Sequence, residues 1–375
     1  MKSILLTSTA LVAFAGAAAA DGHASISYGL TGKLGYNTGD VAASNGAYWE
    51  GNLKATATAA LDNGLTAGAY FEVTVADDDA AAANDGGIAL SSSDFVLSLT
   101  TEGAGLYFGD TKAAAETHWA AAGDMESDGF SNSSDAAVLR GDYTIGGFKT
   151  SLSYNIDDAN NTVEQLSLGA SGSFGAITVA AAYQAKVTSA FDADGTDGDF
   201  NNGTIYGISA SGTFAGATVT AAYANDANDG AGDTGVATTS TGIKLSYPFG
   251  PVTATAYYVQ ESGGANTNPN YGVNVKYSAN GITVTADYQN DQTTTIWQVD
   301  GSYDLGNGLT VIGGAEEQSG VSGASADYYV GAKYDLGGGA SVVMTYADDA
   351  DNSAGDEIGA GDYKDGVTVE VSFAF

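Results

Sequence analysis

The stretch that decides the fold is VKYSANGITVTADY, residues 275–288. Apolar and polar residues alternate on both sides of the pair Asn280 and Gly281. Alternation with a period of two is typical of a β-strand, and Asn-Gly is favoured in two-residue hairpin turns. The stretch therefore predicts an antiparallel hairpin with one apolar and one polar face.

The same hairpin recurs along the chain. Close copies are KLSYPFGPVTATAYY (residues 244–258), GSYDLGNGLTVIGGA (301–315) and AKYDLGGGASVVMTY (332–346), and five looser copies precede them. With an opening strand near residues 26–36 and the closing strand VTVEVSFAF (367–375), the direct count is 20 strands. No stretch with helical periodicity interrupts them, so the pattern predicts an all-β protein.

Loop lengths and face polarity indicate where this sheet lies. Turns inside the hairpins are short, whereas connections between hairpins are mostly longer and polar, as in DADGTDGDFNNG (192–203). This asymmetry is typical of a transmembrane β-barrel, with short periplasmic turns and long outer loops. The second face of each strand is too polar for a packed core. On the apolar face, tyrosines such as Tyr258 and Tyr288 stand at the strand ends. We therefore expect a closed antiparallel transmembrane β-barrel with a polar interior.

Composition bounds the partners and the compartment. The formal charge is −34, from 45 acidic and 11 basic residues, which disfavours nucleic-acid binding. The absence of cysteine excludes disulfides and thiolate metal sites. Residues 1–20 combine Lys2, an apolar run and small residues, a pattern that predicts a cleaved signal peptide and export. Residues 21–375 are then expected to form one barrel domain.

These features together resemble the Gram-negative general porins, especially those of photosynthetic and marine alphaproteobacteria. The resemblance is carried by the signal peptide, the hairpin SFGAI (173–177), the hairpin DLGGGAS (335–341) and the terminal Phe375. It implies a homotrimer with water-filled pores in the outer membrane, surrounded by lipid and lipopolysaccharide. It also implies that the barrel-assembly machinery reads the terminal strand through Phe373 and Phe375. Such barrels usually have about 16 strands, so the expected number is 16 to 20.

The resemblance also implies that the third long loop folds inward and narrows the pore. The matching segment is TKAAAETHWAAAGDMESDGFSNSSD, residues 111–135, which begins with a helix-prone run over residues 112–122 and then becomes acidic. We interpret it as a constriction loop. Its candidate pore-lining acids are Glu116, Asp124, Glu126, Asp128 and Asp135.

Charged residues in the polar phase of the strands are candidates for the pore wall, because a charge facing lipid at mid-depth is costly. Facing acids and bases would set a transverse field that passes small polar solutes, and the excess of acids predicts a weak cation preference. The main candidates are Lys33, Lys54, Arg140, Glu50, Glu72, Asp94 and Asp142. Further members of this phase are Lys149, Lys244, Lys276, Lys333, Asp287, Asp300 and Glu370.

The sequence therefore predicts a non-enzymatic diffusion porin for small hydrophilic solutes and ions. It needs no cofactor, although acidic loops are expected to bind Ca²⁺ or Mg²⁺ weakly at most. Three alternatives stay open: a substrate-selective channel, a barrel-borne hydrolase that uses His118, and a secreted β-rich surface protein. No G-x-S-x-G nucleophile turn occurs, so no catalytic residue is assigned, and the two histidines are too far apart in sequence to suggest a zinc site.

Overall fold

The computed structural model describes residues 24–38, 46–77, 91–130, 136–157, 163–185, 203–229, 235–264, 267–319, 326–348, 358, 361 and 363–375. The predicted signal peptide lies outside the described residues. The described chain forms 20 strands and a short helix, in this order: β1 (Ala24–Asn37), β2 (Gly46–Ala60), β3 (Thr66–Asp77), β4 (Ser91–Thr101), β5 (Ala104–Gly109), α1 (Ala114–His118), β6 (Ala136–Ile145), β7 (Phe148–Asp157), β8 (Val163–Phe174), β9 (Ile177–Gln184), β10 (Ile205–Phe214), β11 (Ala217–Asp226), β12 (Thr238–Phe249), β13 (Val252–Ser262), β14 (Asn270–Ala279), β15 (Ile282–Asp291), β16 (Thr294–Gly306), β17 (Leu309–Gln318), β18 (Asp327–Gly337), β19 (Ala340–Asp348) and β20 (Gly366–Ala374).

The strands close into a single antiparallel ring. Each strand pairs with the next along the chain, and β20 returns to pair with β1. The last residue extends this ladder, because the Phe375 amide donates to the Leu30 carbonyl (2.8 Å) and the Leu30 amide donates to the Phe375 carbonyl (3.0 Å). Closure leaves no free sheet edge. The prediction of a closed antiparallel barrel is confirmed, and so is the direct count of 20 strands.

The hairpin turns follow the chemistry expected of them. Asn280 and Gly281 have φ angles of 54° and 77°, the left-handed values that a two-residue turn between twisted strands requires. Connections at the opposite rim are longer, with one exception. The β15–β16 connection is a two-residue turn, Gln292 and Thr293, so the expected asymmetry of the two rims is interrupted there.

The two faces of the barrel have opposite character. In the hairpin of β14 and β15, Val273, Val275 and Val284 are exposed on one face, whereas Lys276 and Asp287 lie in the opposite phase. The apolar phase forms the outer, lipid-facing surface and the polar phase faces the interior. The same outer phase exposes Leu30, Leu34, Phe71, Leu97, Leu152, Ile208, Ile243, Val330 and Met344 in other strands.

The helix is shorter than the helix-prone run 112–122 predicts. It spans only Ala114–His118 and ends where Trp119 adopts extended backbone angles (φ −60°, ψ 141°). Contacts with the barrel wall determine the path beyond this residue, and a single turn has little intrinsic stability to oppose them. No helix in the described part of the chain is long and apolar enough to cross a membrane.

Candidate functional site

The connection after β5 lies against the inner face of the barrel. We call residues 111–130 the inward segment. At the start of α1, the amides of Ala114 and Ala115 donate to the hydroxyls of Ser153 and Ser167, each at 2.8 Å. Both serines lie in the polar phase of neighbouring strands, β7 and β8. The wall therefore satisfies helix amides that have no partner within the helix, and so holds α1 inside the barrel.

Arg140 fixes the first residues of this segment. Its Nη1 donates to the Lys112 carbonyl (2.6 Å) and to the Thr117 hydroxyl (3.1 Å), while Nε pairs with Asp142 (3.0 Å). The guanidinium carbon also lies 4.9 Å from the centroid of the Tyr107 ring. Arg140 is only 8% exposed. It lies in the predicted inner phase, but its donors are used for positioning the segment and its charge is offset by Asp142.

His118 connects the end of α1 to two wall serines. Its Nδ1 lies 2.9 Å from the Ser171 hydroxyl and its Nε2 lies 2.8 Å from the Ser151 hydroxyl. Burial lowers the pKa of His118, which favours the neutral ring with one donor and one acceptor nitrogen. Because both nitrogens meet serines, the His–carboxylate hydrogen bond of a catalytic triad is not formed at His118 in the described structure.

A row of small residues gives the inward segment room against the wall. Gly169, Gly207 and Gly242 lie in the inner phase of β8, β10 and β12. A Cβ added at Gly169 would overlap the Ala114 carbonyl, and one at Gly207 would overlap the Trp119 ring. One at Gly242 would come within 2.7 Å of the Ala122 carbonyl. These glycines therefore permit the close approach of the segment.

The second half of the segment is held by β12 to β14. The Ser127 amide donates to the Ser240 hydroxyl (2.9 Å), and the Glu126 amide donates to a Glu261 carboxylate oxygen (3.3 Å). The side-chain amide of Asn270 donates to the Asp124 carbonyl (3.2 Å) and to Glu126 Oε1 (2.9 Å). Hydrogen bonds therefore hold both halves of the inward segment against the inner wall, and the segment runs along that wall from β7 to β14.

The predicted constriction acids have different environments. Asp124 and Glu126 are exposed, and their carboxylate oxygens lie within 4.8 Å of one another and of Asp291. Asp128 accepts a hydrogen bond from Trp119 Nε1 (2.8 Å), and Glu116 caps α1 by accepting from the Ala113 amide (3.1 Å). Asp135 lies outside the described residues.

Although Asp124 and Glu126 reach water, the surrounding barrel partly desolvates them and Asp128, which raises the pKa of all three carboxyls, and neighbouring carboxylates raise it further. Asp124, Glu126 and Asp291 are oxygen ligands of the kind that Ca²⁺ accepts. Exposed acids also group in this way without an ion, so weak divalent binding stays a prediction.

Paired charges line the wall formed by β1 to β4. Lys33 pairs with Glu50 (2.7 Å) and Lys54 pairs with Glu72 (3.2 Å) across neighbouring strands. Asp94 is the register partner of Glu72 on the next strand. The two lysine side chains are each 42% exposed, so these pairs remain in contact with the water of the interior. The remaining predicted wall residues lie in the inner phase of their strands: Lys149, Lys244, Lys276, Lys333, Asp287, Asp300 and Glu370.

One inner contact was not predicted from the sequence. Ile358, in the connection between β19 and β20, packs with Tyr329 and Ala347 and is only 1% exposed. A single isoleucine within an acidic, glycine-rich stretch carries no periodic signal. The flanking composition, ADDADNSAGDEIGAGD, indicates an ordinary polar loop.

Comparisons with known proteins found one matching protein family and several similar solved structures. The family model described as Gram-negative porin matches residues 7–374. A variant of the Rhodopseudomonas blastica porin with five substitutions is 17% identical, and the match covers 93% of this chain and 100% of that chain with a TM-score of 0.44. A triple mutant of the same porin is 18% identical over the same shares, with a TM-score of 0.42. No curated protein sequence matches.

The family match covers nearly the whole chain, and the chain itself forms a closed barrel with an apolar outer face and a polar interior. These findings indicate a channel rather than an enzyme. This chain belongs to the Gram-negative porin family and is an outer-membrane channel protein.

Proposed function

We propose that this channel is a passive diffusion pore for small hydrophilic solutes and ions, with a modest preference for cations. The observation that carries the proposal is the inward segment, which is hydrogen-bonded to strands on one side of the interior and exposes Asp124 and Glu126. Carboxylates at a narrow point attract cations and disfavour anions. Charged and polar groups along the inner wall, such as the Lys33–Glu50 and Lys54–Glu72 pairs, suit solutes that keep most of their hydration.

The charge balance supports a cation preference rather than an anion preference. Lys33, Lys54 and Arg140 each form an ion pair with an acid. Within the described residues, none of these pairs includes Asp124, Glu126 or Asp291. The negative charge near the inward segment is therefore not offset by a contacting base. The net charge of −34 adds a negative potential that concentrates cations.

Two measurements test this function. Reversal potentials of planar bilayers in a potassium chloride gradient should show a cation preference that weakens at high salt, because salt screens the carboxylates. Liposome swelling should show that neutral sugars enter at rates that fall with size and depend little on their stereochemistry. Anion preference would contradict the selectivity, and saturable uptake of one solute class would favour a substrate-selective channel.

We also propose that the chain is exported with cleavage of residues 1–20 and assembles as a homotrimer with the help of the barrel-assembly machinery. The support is the amino-terminal sequence pattern and the family resemblance. Mass measurement of the protein in detergent, with a cross-linked sample beside it, tests the trimer. Mass spectrometry of protein from outer membranes gives the mature amino terminus.

A further inference from the structure

A second part of the chain enters the barrel, far along the sequence from the inward segment. Ile358 and Tyr363 exchange two backbone hydrogen bonds: the Ile358 amide donates to the Tyr363 carbonyl (3.0 Å), and the Tyr363 amide donates to the Ile358 carbonyl (3.1 Å). We call this pair the Ile358–Tyr363 bridge. It belongs to the connection between β19 and β20.

The bridge packs on inner-face residues of three strands. Ile358 is buried against Tyr329 of β18 and Ala347 of β19, with Ile312 of β17 and the Tyr363 ring beside them. The ring centroids of Tyr329 and Tyr363 lie 4.7 Å apart. The group forms an apolar cluster on the inner face of β17 to β19.

Register and hydrogen bonding place this cluster inside the barrel. The Tyr329 hydroxyl donates to Asp300 Oδ1 (2.6 Å), a member of the inner phase. The residues on either side of Tyr329 in β18, Tyr328 and Val330, are exposed on the outer surface. Ile358 therefore lies on the inner side of the wall.

A second contact fixes the chain between the bridge and β20. Asn37 of β1 is completely buried, and its side-chain amide donates to the Asp365 carbonyl (2.9 Å) and to the Thr368 hydroxyl (2.8 Å). Asn37 lies in the same inner phase as Lys33. The bridge is held by β17 to β19 and β1, and the inward segment is held by β7 to β14. In the ring of 20 strands, the middles of these two groups lie almost half-way round from each other.

We propose that the Ile358–Tyr363 bridge is a second constriction element, which faces the inward segment across the interior and limits the size of the solutes that pass. The inference rests on the proposed diffusion function. Solutes then pass between two anchored chain segments and along the wall with the Lys33–Glu50 and Lys54–Glu72 pairs. Tyr363 contributes an aromatic surface across the interior from α1, which is bound to β7 and β8.

The test releases the bridge from this cluster. Ile358→Asp places a carboxylate among apolar groups, which disfavours the docked position. The matched control is Val236→Asp, at an outer-rim residue that is 51% exposed. In 1 M potassium chloride, where added charge is screened, Ile358→Asp should raise single-channel conductance and admit larger sugars into liposomes. Val236→Asp should leave both unchanged, and unchanged values for Ile358→Asp would overturn the proposal.

A cysteine variant provides an independent test that keeps Ile358 in place. The natural chain has no cysteine, so Tyr363→Cys introduces a single reactive thiol. A positively charged, membrane-impermeant thiol reagent should lower the conductance of Tyr363→Cys channels and leave Val236→Cys channels unaffected. Absence of an effect at Tyr363→Cys would contradict the bridge as a pore-lining element. If the wild type itself fails to conduct, the proposed diffusion function is wrong; if it conducts and both variants behave like it, only this inference is wrong.

Discussion

At the scale of single residues, charged side chains inside the barrel fall into two groups. Some hold the inward segment in position, and others are exposed to water. Arg140 donates hydrogen bonds to Lys112, Thr117 and Asp142, and its side chain is buried. Asp124 and Glu126 are exposed and lie close to a third carboxylate, that of Asp291. The acids of the inward segment are therefore better placed than Arg140 to act on ions in the pore.

Neutralising these acids should change selectivity without unfolding the barrel. The triple substitution Asp124→Asn, Glu126→Gln and Asp128→Asn should lower the ratio of cation to anion permeability, because it removes negative charge that attracts cations to the inward segment. The reversal potential in a potassium chloride gradient measures this. A matched control removes three acids at the rim of short turns: Asp62→Asn, Glu102→Gln and Asp304→Asn. An equal or larger change in the control would contradict the assignment.

The same acids predict a pH dependence. Partial desolvation and neighbouring acids raise the pKa of Asp124, Glu126 and Asp128 from its ordinary value. As the pH falls from about 7 to about 4, cation preference should decline earlier than ordinary carboxyl groups would allow, and the triple variant should show a flatter curve. A wild-type reversal potential that stays constant over this range would contradict the prediction.

The same raised pKa values make docking of the inward segment more stable as the pH falls, whereas the cation preference declines as the pH falls. A carboxyl whose pKa is raised by folding contributes stability below its unfolded pKa, and that contribution is lost as the pH rises through the folded pKa. For these three acids, mild acid therefore favours docking of the inward segment while it removes the charge. His118 acts against this, because its lowered pKa means that protonation at acid pH disfavours the docked position.

At the scale of elements, the inward segment depends on wall residues that leave space for it. Gly169 and Gly207 lie directly beneath Ala114 and Trp119, and Ser153 and Ser167 bind the first amides of α1. The family resemblance implied that this loop folds inward, and the alternation of residues predicted the phase of the strands. It did not predict where α1 ends or which acids are engaged by Trp119 and Ala113. Those partners depend on the path of the chain across several strands, which no local pattern contains.

Filling one of these glycines should displace the segment. Gly169→Ala places a methyl group against the Ala114 carbonyl, so α1 must move toward the pore axis or leave the wall. We expect altered single-channel conductance and increased open-channel noise in planar bilayers. The control is Gly29→Ala, also on the inner face, where an added Cβ lies 3.6 Å from its nearest neighbour and causes no overlap. Identical recordings from both variants would show that Gly169 is not needed for docking.

At the scale of the whole molecule, closure of the ring depends on the last strand. Val367, Val369, Val371, Phe373 and Phe375 follow a strict period of two, which predicted both the strand and its outer face. The hairpin repeat likewise predicted 18 of the 20 strands, because each hairpin carries its own turn and its own alternation, and the opening and closing strands completed the count. The Ile358–Tyr363 bridge was missed, because its contacts join residues that are distant in sequence and lie within a stretch of polar composition.

The terminal aromatic should matter for assembly more than for the folded barrel. Phe375 is 70% exposed, and its backbone alone makes the hydrogen bonds to Leu30. Phe375→Ala should therefore reduce the amount of heat-modifiable protein in outer-membrane fractions while leaving detergent-folded protein closed. Phe249→Ala, which removes another exposed aromatic near the short turns, is the control and should insert normally. Normal insertion of Phe375→Ala would exclude this side chain as an assembly signal.

The central claim is that the closed barrel holds a continuous water-filled path between its two constricting segments. Single-channel recording of the purified wild-type protein in a planar lipid bilayer tests it most directly. We predict stable ohmic steps whose conductance follows the bulk conductivity of the salt solution, with closures in groups of three if the protein is a trimer. Folded protein that inserts into the bilayer and yields no conductance steps would contradict the account.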